Sequence, residues 1–266
     1  DQKEALSIAD RMAVMFDGMD KIQHQAWPYI LPELMPHRAH DEATRIQDLC
    51  REYFTRLDEG IDRLIREAGP ETNVLIASDH GFCTTRFVIR INKYLEQLGY
   101  LQWHAEDGSE RARRRAEAPF AHLDWNRTLA YCPTPSSNGI HIRMASEPGE
   151  SGIRQEDYPS FRERLVRELY DLRDEAGNQA IQEVLLREEV FPGECSSQAP
   201  DLTLVLQDHG FVSVKNLDPV LIQRTVPAGT HHPLGVFIAF GPDFTDKRED
   251  TPFRIEDMAA LLLHSQ

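Results

Sequence analysis

Cysteine is scarce in this 266-residue chain. There are four, Cys50, Cys83, Cys132 and Cys195, too far apart to form a CxxC pair. That spacing argues against a thiolate zinc site and gives no disulfide framework. Four scattered thiols are the pattern of a reducing compartment, so a cytoplasmic protein is expected; disulfides stay open only for an exported form. No run of about 18 apolar residues is present, so no membrane-spanning segment is expected. The opening DQKEALSIAD is polar and acidic, unlike a signal peptide. Basic residues are outnumbered, with 29 Lys plus Arg against 44 Asp plus Glu and a formal net charge of −15. Such a balance disfavours a nucleic-acid groove or an anionic membrane surface as the main partner. A phosphate-bearing substrate remains compatible, because bound metal ions invert local charge. Internal repeats and low-complexity tracts are lacking as well.

What is present is a set of short apolar runs with strand character: Met12–Phe16, Asn73–Ser78, Thr128–Cys132, Ile140–Met144, Leu202–Leu206 and Gly235–Phe240. Several are continuous apolar blocks, as expected of strands covered on both faces. Helical patterns lie between them. The clearest runs from about Asp41 to Ala68, with Ile46, Leu49, Cys50, Tyr53, Phe54, Leu57, Ile61, Leu64 and Ile65 in one stripe and Gly69-Pro70 as its stop. Tyr158–Asp174, Ile255–His264 and the short Asn92–Leu98 are further helices. Strands alternating with helices indicate an α/β layer fold around a mostly parallel sheet. Ala105–Ala118, which holds RARRR, reads as an exposed charged excursion, with a basic partner-binding patch as the rarer explanation. The chain reads as one domain over 1–266, with a small cap or insertion at about 104–198.

Three places carry candidate chemistry. Asp20 and His24 are four apart after the run Met12–Phe16; if a helix begins near Gly18 they share a face. Taken alone, such a pair is more often an ordinary ion pair. Asp79-His80-Gly81 ends the run Asn73–Ser78, where ligands bind in open α/β sheets; a helix N-cap explains the Asp equally well. His231-His232 lies in a loop leading into GVFIAFG, and a solvated loop is its plain reading. Together the three places bring five oxygen and nitrogen donors to expected strand ends. That set suits a borderline divalent ion such as zinc, with manganese less favoured by the histidine content.

The segments FDGMDKIQHQAW, VLIASDHGF, INKYLEQLGYL, NGIHIR, LLREEVFPG, APDLTLVL, GTHHPLGVFIAFGP and IEDMAALLL occur in this order. With them the chain resembles the type I phosphodiesterase/nucleotide pyrophosphatase branch of the alkaline phosphatase superfamily. The resemblance implies an alkaline-phosphatase-like three-layer α/β sandwich with a mostly parallel central sheet. It implies two divalent metal ions, zinc with manganese as the alternative. One would be held by Asp20, His24 and His231, and the other in part by Asp79 and His80. His232 takes a place often held by Arg. The implied activity is metal-dependent hydrolysis of phosphodiester or nucleotide pyrophosphate bonds on a small phosphate-ester or nucleotide substrate.

The family also uses an upstream Asp and a Thr or Ser nucleophile, and nothing here matches them; Thr84 and Thr85 stand in the wrong place. A chain that is the C-terminal portion of a longer enzyme is therefore expected. Alternatives are other superfamily chemistry (phosphomutase, phosphonate hydrolase or sulfatase) and a non-catalytic metal-binding module. The catalytic nucleophile and the oligomeric state are left unassigned. The remaining histidines get ordinary readings: His37, His40, His104, His122 and His209 as solvated, and His141 as a strand residue facing either way. Trp27 is expected to pack on the sheet, and Asn138 to form a turn.

Overall fold

The computed structural model describes residues 11–34, 40–104, 120, 123–135, 137–147, 149–245 and 253–264. The structure is a mixed α/β fold. Its helices are α1 (Gly18–Ile30), α2 (His40–Ala68), α3 (Ile91–Gln97), α4 (Tyr158–Tyr170), the single turn α5 (Arg187–Val190) and α6 (Asp257–His264). Its strands are β1 (Val74–Ala77), β2 (Gly81–Ile89), β3 (Ala130–Tyr131), β4 (Gly139–Ile142), β5 (Ile181–Leu186), β6 (Leu202–Leu206), β7 (Leu221–His232) and β8 (Phe237–Phe240). The four expected helices all form. α2 ends where Gly69 takes φ +82°, its N–H donating to the Ile65 carbonyl.

The expected mostly parallel central sheet is not what forms. The strands make three small sheets, β1-β8, β2-β7 and β3-β4-β6-β5, and every pairing between them is antiparallel. Continuous apolar blocks predict strands covered on both faces. In β1-β8 one face is open instead, with Ile238 48% exposed. Met12–Phe16 is no strand: no other described segment pairs with it, and Met15 is 87% exposed. Without a ladder partner, an apolar run has nothing to hold it extended.

The main core surrounds the four-stranded sheet. In β6, Leu202, Leu204 and Leu206 alternate inward and pack with Ile140, Ile181, Leu165 and Leu169. Each buried leucine contributes roughly 1.5–3 kcal/mol. Asn92 is buried in this core and satisfied, donating to the Cys132 carbonyl and accepting from the Cys132 N–H. Beside the core, β2 and β7 pair as a long ribbon, with α1 lying on β7 and α2 against α1. The ribbon is kinked where Asp208 Oδ2 accepts hydrogen bonds from Thr85 Oγ1 (2.8 Å) and from the Arg86 and Phe87 N–H groups (2.7 and 3.1 Å). No helix among the described residues is long and apolar enough to cross a membrane. All four cysteines are free thiols.

Candidate metal centre

α1 begins at Gly18, so Asp20 and His24 do stand one turn apart on the same face. That face meets the end of β7. The close approach depends on Gly229: a Cβ there would stand 2.5 Å from the Gln23 carbonyl oxygen and 3.1 Å from Trp27. His231 is not in a loop, as the sequence suggested, but in the last pairs of β7, with Phe82 opposite His231 and Gly81 opposite His232. His80 stands between β1 and β2, carried alongside by the bend at Asp79 and by the pairing of Gly81 with His232. Asp20, His24, His80 and His231 are thereby brought to one place, with Asp79 beside His80 at its edge.

Three imidazoles converge on one carboxylate oxygen. Asp20 Oδ1 lies 3.1 Å from Nε2 of His231, 3.4 Å from Nε2 of His24 and 3.8 Å from Nε2 of His80. His24 Nε2 and His231 Nε2 are 2.9 Å apart, and the His80 and His231 rings stack with centroids 3.7 Å apart. Asp79 is at the rim, 76% exposed, with Oδ2 3.6 Å from His80 Nε2. Phe82 packs edge-on against His24 and His231 and tilted against His80 and Trp27. Trp27 is buried as expected and donates its indole N–H to Thr84 Oγ1 at 2.9 Å.

The tautomers follow from the outer partners. His24 Nδ1 faces the Gly229 carbonyl at 3.3 Å, and His80 Nδ1 faces the Gly81 carbonyl at 3.1 Å. A carbonyl only accepts, so each Nδ1 is the donor to its carbonyl, and Nε2 is the ring atom turned toward Asp20. His231 resists protonation: burial, then the neighbouring His80 and His24, hold its pKa below the usual histidine value, against the opposing pull of Asp20. Three imidazole nitrogens and a carboxylate oxygen within a few ångströms of one another are the atom types that ligate a divalent cation. Asp20, His24 and His231 offer three ligand atoms all within 4.8 Å of one another, the one such group among the described residues. Two imidazoles and a carboxylate fit zinc, and the carbonyls behind the rings supply the outer support such ligands use. Asp79 and His80 add two donors beside this group, one short of a set of three.

Against family models, the chain matches the type I phosphodiesterase / nucleotide pyrophosphatase family over residues 1–234. The chain belongs to that family. Comparisons with curated proteins and with solved structures find no match. The phosphodiesterase match spans all five converging residues and stops short of β8 and α6. Membership places the chain among phosphoester hydrolases. Two features of the site leave little trace in the sequence. One is Phe82, the platform under the imidazoles; its place directly after Asp-His-Gly and two before Thr84 on a strand was the available signal. The other is Gly229, which had no distinguishing signal. His37, His122 and the Ala105–Ala118 excursion lie outside the described residues. His104 is exposed near Asp124, and His209 packs edge-on against His232.

Proposed function

We propose that this chain is a divalent-metal-dependent hydrolase of phosphodiester or nucleotide pyrophosphate bonds, working as one catalytic domain with a small cap or insertion at about 104–198. The observation that carries this reading is the convergence of the Nε2 atoms of His24, His80 and His231 on Asp20 Oδ1, in a chain of the phosphodiesterase family. Asp20, His24 and His231 would hold one ion, zinc or manganese, and Asp79 and His80 would contribute to a second. Ions held there supply Lewis acidity at the phosphoryl oxygens and lower the pKa of a bound oxygen nucleophile.

The chain's own residues prepare the place. The Gly229 and Gly81 carbonyls hold Nδ1 of His24 and His80, so Nε2 of both rings is turned to the site with little reorganisation. Phe82 and Trp27 shield one side from water, which strengthens the electrostatics at the opening. Thr85 is buried and its hydroxyl donates to Asp208, and Thr84 Oγ1 accepts from Trp27. Neither is positioned as an attacking group, so no nucleophile is assigned within β2.

Hydrolysis of bis(4-nitrophenyl) phosphate tests the reading. The expected result is turnover with added zinc or manganese, abolished by EDTA and lowered at least about 100-fold by Asp20→Asn. Turnover insensitive to both chelator and Asp20→Asn would refute the reading. Stoichiometric metal without hydrolysis of any phosphodiester would instead make the chain a metal-binding module.

A further inference from the structure

A second concave site lies on the other part of the fold. A cavity of about 710 Å³ opens on the four-stranded sheet, and none of the five converging residues lines it. The volume is within the usual range for small-molecule pockets, about 300–1,000 Å³. Two rows of side chains face it. The first is aromatic: Trp125 stands edge-on to Tyr131 with centroids 5.1 Å apart, and Tyr131 stacks on His141, its partner across β3-β4, at 5.7 Å. Trp125 remains 41% exposed at the cavity.

The second row is cationic: Arg143, Arg162 and Arg187. Two of these are matched. Arg162 makes a two-pronged bond to Glu188, at 2.9 and 2.8 Å, and Arg187 pairs with Asp201. Asp201 is further held by the Tyr158 hydroxyl at 2.7 Å and the Ile142 N–H at 2.6 Å. Arg143 is not matched. Its Nη1 is buried and has no hydrogen-bond partner among the described residues. That atom has no surface open to the cavity, so an anion there meets the rest of the guanidinium, which pairs with no carboxylate among the described residues. In a chain of net charge −15, this cavity carries three guanidinium groups against two carboxylates.

We propose that the cavity binds a small aromatic anion of the nucleoside monophosphate class. The anionic group is taken by Arg143 and the ring by Trp125. A guanidinium recognises phosphate through parallel N–H donors, and an indole accepts any base on its π-face. This site is independent of the hydrolase reading, because it needs no metal and shares no residue with the metal centre.

Calorimetric titration of the EDTA-treated full chain with 5′-AMP, adenosine and inorganic phosphate tests it. Expected is one AMP per chain with Kd below about 1 mM, with adenosine and phosphate each at least about 10-fold weaker. Arg143→Met should weaken AMP about 10- to 100-fold. Trp125→Ala, at an exposed ring whose loss does not threaten folding, should weaken it about 5-fold or more. Asp20→Asn should leave AMP binding unchanged. No AMP binding to the folded chain at 10 mM would overturn the proposal, taking about 10 mM as beyond any specific affinity of this class. So would binding indifferent to both Arg143→Met and Trp125→Ala, or binding lost on Asp20→Asn, which would place the nucleotide at the metal centre.

Discussion

Gly229→Ala should open the metal centre without touching a ligand. The added Cβ would meet the Gln23 carbonyl oxygen at 2.5 Å, where ordinary contact begins at 3.4 Å, and would press on Trp27 at 3.1 Å. Both obstacles belong to α1, and the oxygen is backbone, so no side-chain rotation relieves the clash. α1 and β7 must separate by about 0.9 Å, and overpacking of this kind costs about 1–3 kcal/mol. For a chain of this size about 2–4 °C is lost per kcal/mol, so the melting temperature in EDTA should fall by about 2–12 °C. The same shift carries Asp20 and His24 away from His231. Metal–ligand distances tolerate only about 0.2 Å, so zinc affinity measured by competition with a chromophoric chelator should fall about 10- to 100-fold. Gly60→Ala in α2 is the control: nothing lies within 4 Å of its added Cβ. It should stabilise the helix by about 0.5–1 kcal/mol and leave zinc affinity unchanged. Unchanged zinc affinity in Gly229→Ala, with the melting temperature lowered as expected, would refute the claim that the α1–β7 approach sets the site.

Other perturbations give separate expectations. His231→Gln should remove bound zinc as completely as Asp20→Asn does, by elemental analysis after dialysis, since each deletes one of three donors. Burial, reinforced by Arg187 and opposed by Asp201, holds the His141 pKa below its usual 6.5. The unfolded chain then binds more protons below that pH, so stability in urea titrations should fall as pH drops through 6.5 toward the folded value, and His141→Gln should flatten that slope. Cys132 is fully buried and its thiol is pushed up to about 12. At pH 8 (a choice near the ordinary thiol pKa of about 8.5) Cys195 should react first with a disulfide reagent, and Cys132 only on unfolding. Asp208→Ala should cost about 2 kcal/mol or more in chemical denaturation, because the Arg86 and Phe87 N–H groups lose their acceptor.

The parts of this structure legible in the sequence are the local ones. Asp20 and His24 share a face because helical spacing alone puts them there, and α2 announces itself through its apolar stripe and its glycine stop. The partner of that face was not legible as structure. β7 has no apolar alternation and contains Pro227, both of which argue against a strand. It pairs with β2 nonetheless, and the register passes from Ala228 opposite Thr85 to Gln223 opposite Phe87, leaving the stretch with Pro227 outside the ladder. Register of this kind is set by contacts across more than a hundred residues, such as Asp208 gripping β2, and leaves no periodic trace. Sheet direction failed for a related reason. Continuous apolar runs predict burial on both faces, yet β8 keeps Ile238 half in solvent and β6 proves alternating in burial.

The central claim is that Asp20, His24 and His231 hold a divalent ion. Anomalous diffraction at the zinc edge, from crystals of the zinc-loaded chain, addresses it directly. The expected map has a peak bonded to His24 Nε2, His231 Nε2 and an Asp20 carboxylate oxygen at about 2.0–2.2 Å. A fully loaded crystal with no peak among these three residues, or with zinc only elsewhere, would contradict it.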